Sequence, residues 1–93
     1  MPADPGTRIS DLVKDTRALS LTALNGCPAE TYAALPDILE RAQALCQYMN
    51  EEYPKSLEFI IRQILLAQQK DDVMRISDFL GYELPHILNS FQK

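Results

Sequence analysis

Residues 71–91, DDVMRISDFLGYELPHILNSF, combine an acidic start, a helical apolar spacing and a Gly81–Pro85 pair set four residues apart. Either aspartate can cap a helix, because a short carboxylate accepts from the free N–H groups of a first turn. Val73, Ile76, Phe79, Leu80, Leu84, Ile87, Leu88 and Phe91 then form one apolar stripe at steps of three and four, which predicts an amphipathic helix. Pro85 interrupts it: proline has no N–H, and its ring presses on the carbonyl four residues earlier, at Gly81. The pair predicts either a kinked helix between Gly81 and Pro85 or one that ends near Tyr82 and restarts.

Upstream of this stretch the same periodicity recurs three times. Leu57, Ile60, Ile61, Ile64 and Ala67 or Gln68 mark a third helix through Gln69, entered from a break at Tyr53-Pro54. Phe59, Leu65 and Leu66 widen its stripe beyond what one neighbour covers, which places it centrally or at an interface. A Glu58–Arg62 pair suits its outer face. A second helix opens at Pro28, a favoured first position, and carries Leu35, Ile38, Leu39, Ala42, Leu45, Cys46 and Met49. Pro36 either kinks this helix or divides it. A first helix, capped by Thr7 and ended by Asn25-Gly26, carries Ile9, Leu12, Val13, Leu19 and Ala23. Residues 1–6 read as a loose tail and residues 7–93 as one domain. The expected fold is all-α: an antiparallel up-down helical bundle of about four helices with a looser first helix, the last one kinked or broken near Gly81–Pro85.

Composition limits the function. Thirteen acidic against nine basic residues give a net charge of −4, and the basic ones are scattered from Arg8 to Lys93. Nucleic-acid binding needs clustered cations to displace phosphate counterions, so it is not expected. No apolar run reaches the roughly 18 residues that span a bilayer, and the first ten residues lack a signal peptide's apolar core. Cys27 and Cys46 read as two free thiols of a cytoplasmic protein.

Catalytic patterns are thin. There is no glycine-rich phosphate loop, paired CxxC or HExxH. Glu83 and His86 have the Glu-x-x-His spacing of di-iron bundles, but those sites need a second such motif, and this chain has one histidine. No cofactor or metal is expected. Asp71, Arg75 and Asp78 fall at i, i+4 and i+7 and would line one exposed stripe, read either as a solvated charged face or as a docking rim beside an apolar groove.

The run Ser77-Asp78-Phe79-Leu80 followed by Tyr82-Glu83-Leu84 is similar to the last helix of small bacterial helical proteins that resemble flagellar export chaperones. The resemblance covers about a fifth of the chain, and its matching residues are Asp78, Tyr82 and Glu83. It implies a short antiparallel bundle that binds a helical segment of a secreted partner. The expected function is therefore a non-catalytic, chaperone- or adaptor-like module that takes an amphipathic helix of a protein partner in a groove. Asp78, Gly81, Tyr82, Glu83, Pro85 and His86, around the bend, are the candidate binding residues. The alternatives are an obligate homodimeric structural subunit built on the third helix, or a metal-binding bundle using Glu83 and His86.

Overall fold

The computed structural model describes residues 4–93, so the expected behaviour of residues 1–3 lies outside it. Its order is α1 (Pro5–Leu24), α2 (Pro28–Ala44), α3 (Glu52–Gln69), α4 (Val73–Asp78), a π-helical turn (Phe79–Glu83) and α5 (Leu84–Ser90). A short 3-10 turn, Cys46–Tyr48, follows α2. Segment α4, the π turn and α5 run on without a loop as one bent rod, giving a four-helix bundle with no strand among the described residues.

The first helix starts earlier than its sequence suggests. The Asp4 carboxylate accepts from the Thr7 N–H at 2.8 Å and is the cap, with Pro5 at the first helical position. The expected tail is thus too long: Pro5 and Gly6 are helical, because an aspartate followed by proline starts a helix better than the threonine three residues on. At the other end the Gly26 N–H bonds the Ala23 carbonyl and the Cys27 N–H bonds the Thr22 carbonyl. This double closure needs a left-handed residue, and Gly26 supplies φ +76°.

The end of α3 repeats this closure with Asp71 in the glycine's place, at φ 55°. Its carboxylate accepts the Tyr32 hydroxyl at 2.5 Å, which ties the turn to α2 and raises the phenol's pKa above its ordinary value. Asp72, not Asp71, caps α4 by accepting from the Arg75 N–H.

Proline treats the middle helices gently. Pro36 lies inside α2 without dividing it. Pro54 sits in the first turn of α3, where an N–H has no helical partner to lose. The Asn50 side chain accepts from the Glu52 N–H at that entrance. Residues 91–93 lie along the same linker: the Asn50 N–H bonds the Phe91 carbonyl and the Lys93 N–H bonds the Tyr48 carbonyl.

Every apolar position assigned to the first helix is buried. That helix is not loose, since α1 packs on α2, α4, the π turn and α5. The other side of the last helix packs on α3, which also meets α2. The core joins Leu12, Leu35, Leu45, Tyr53, Ile64, Ile76, Leu80, Leu84 and Leu88. Tyr53 is fully buried and donates its hydroxyl to the Ala42 carbonyl at 2.7 Å, tying the start of α3 to the end of α2. Burial pushes its phenol pKa far up. Arg41 bridges α2 to α1 through Asp15 at 2.7 Å, and the expected Glu58–Arg62 pair forms at 2.6 Å.

Candidate functional site

The π turn decides where the candidate residues point. Ile76, Leu80, Leu84 and Leu88 are all 0% exposed, at three successive steps of four. In a regular α-helix each such step overshoots a full turn by about 40°. A wider turn, closed by the Leu84 N–H on the Phe79 carbonyl five residues back, takes up part of that drift. Without it the core positions after Leu80 would be 83 and 87, placing the Glu83 carboxylate inside. With it, Leu84 turns inward and Glu83 outward. Pro85 fits this arrangement, having no N–H to offer the regular ladder, and it is itself buried.

Gly81 has a different task from relieving proline strain. A Cβ built there would stand 2.7 Å from the Ser20 Oγ of α1. That oxygen donates to the Ser77 carbonyl at 2.9 Å and lies 2.9 Å from the Ser77 Oγ, which also reaches the Ser20 carbonyl at 3.2 Å. Both serines are buried. Buried hydroxyls need such partners, and this reciprocal set fixes α1 against the last helix at close range. Ser20 has no local signal in the sequence, because its partner lies 57 residues away.

Five of the six candidate residues divide between two sides of the rod, and the sixth, Pro85, is buried. Asp78, Gly81 and Tyr82 face α1, where with Arg17, Ser20, Leu21, Leu24 and Ser77 they line a hollow of about 370 Å3. Its walls are large apolar groups left in solvent: Leu21 is 61% exposed, Leu24 49% and Tyr82 74%. Gly81 and the two serines make a shallow floor, with Arg17 and Asp78 as charges at the rim. Leu21 and Leu24 were not among the expected site residues. Their signal is an apolar pair at i and i+3 that lies off the buried Leu19–Ala23 stripe.

Glu83 and His86 face α3 instead, lining a hollow of about 380 Å3 with Lys55, Ser56, Phe59, Ile60, Ile87 and Phe91. The His86 ring meets Phe91 edge-on at 6.4 Å. Pro85 lines neither hollow. The expected charged stripe does not form: Asp71 turns to Tyr32, Arg75 reaches Gln63 of α3, and Asp78 lies on the α1 side.

No group of three or more His, Cys, Asp or Glu side chains lies together among the described residues. Cys27 and Cys46 sit at opposite ends of α2, about 25 Å apart for a 17-residue helix, too far for a disulfide. No helix among the described residues is long and apolar enough to cross a membrane. No family model, curated protein or solved structure matches the chain.

Proposed function

We propose that this protein is a non-catalytic, cytoplasmic interaction module, chaperone- or adaptor-like, that takes an amphipathic helix of a partner protein along the groove between α1 and the π turn. The observation that carries the reading is the exposure of Leu21, Leu24 and Tyr82 around a floor made of glycine and serine. An aromatic ring and two leucines in solvent are apolar surface that a partner helix would cover. A floor without large side chains lets a helix ridge approach closely. Arg17 and Asp78, of opposite sign, suit a partner with charges flanking its apolar stripe, and they would govern choice of partner more than affinity. The resemblance of the last helix to flagellar export chaperones suggests a helical segment of a secreted protein as the kind of partner.

The test is capture of binding proteins from the native cell with the tagged chain and with a Leu21→Asp, Tyr82→Asp variant. Both positions are solvent-exposed, so the variant should fold, unlike one altered at the fully buried Leu80 or Leu84. The reading requires a partner that the wild type retains and the variant loses. Equal recovery by both chains defeats it.

A further inference from the structure

We draw no further inference here: the strongest candidate, the surface patch on the outer side of α3 where Phe59 and Leu66 are exposed beside the hollow shared with α5, carries charges of both signs at Lys55, Glu58 and Arg62, and nothing in the structure shows what covers it.

Discussion

Gly81 and Ser20 show how one missing methyl group sets a helix crossing. In an exposed helix, replacing glycine by alanine gains about 1 kcal/mol. Here the added Cβ would meet the Ser20 Oγ at 2.7 Å, and that oxygen is held by two hydrogen-bonding partners. Gly81→Ala should therefore destabilise the fold by about 1–3 kcal/mol, the usual cost of overpacking. In a Ser20→Ala background the same change should cost less, and urea unfolding of the four chains measures this coupling. Tyr53 offers a second test at this scale. Its raised phenol pKa means that above pH 10, the ordinary value, the folded protein keeps a proton that the unfolded chain releases. Its share of stability is complete below about pH 10 and falls as pH rises beyond it. Tyr53→Phe should lose about 1 kcal/mol at neutral pH, from the bond to Ala42, and should show a flatter stability profile above pH 10.

The last helix gathers most of what distinguishes this bundle at the scale of elements. Its apolar positions, and those of the three helices before it, were legible from periodicity because burial follows the helical stripe closely. The π turn was not, since proline alone suggests a kink or a break. The evidence lay in the spacing: Ile76, Leu80, Leu84 and Leu88 keep to steps of four, which a regular helix cannot hold on one face. The candidate site was legible only in part for the same reason. Six residues around the bend look like neighbours in sequence, yet Asp78, Gly81 and Tyr82 face α1, while Glu83 and His86, at and beyond the end of the turn, face α3. The register has a direct check. Leu84→Ala should cost about 2–5 kcal/mol, as for a fully buried leucine, while Glu83→Ala next to it should stay within about 0.5 kcal/mol. A regular α-helix here would bury the Glu83 carboxylate without a partner, so that Glu83→Ala would stabilise the fold and Leu84→Ala would cost less. On the surface of α3, Arg62→Ala should cost no more than about 0.5 kcal/mol, because its pair with Glu58 is exposed and screened.

Across the whole molecule the apolar surplus falls on two faces that look in different directions: the groove between α1 and the π turn, and the outer side of α3. A chain of 93 residues needs most of its apolar side chains for its own core. The ones left outside therefore mark where further burial can occur. In the proposed assignment the groove takes a partner's helix, which covers Leu21, Leu24 and Tyr82. Site-specific photo-cross-linking in the native cell probes what occupies the groove. A photoreactive phenylalanine analogue at position 82 is compared with the same group at Gln43, exposed on α2. Position 82 is expected to yield an adduct with a partner, mapped to one apolar face of an amphipathic helix and abolished by Leu21→Asp, while position 43 yields none. Absence of any adduct at position 82, or the same adduct from position 43, contradicts that assignment.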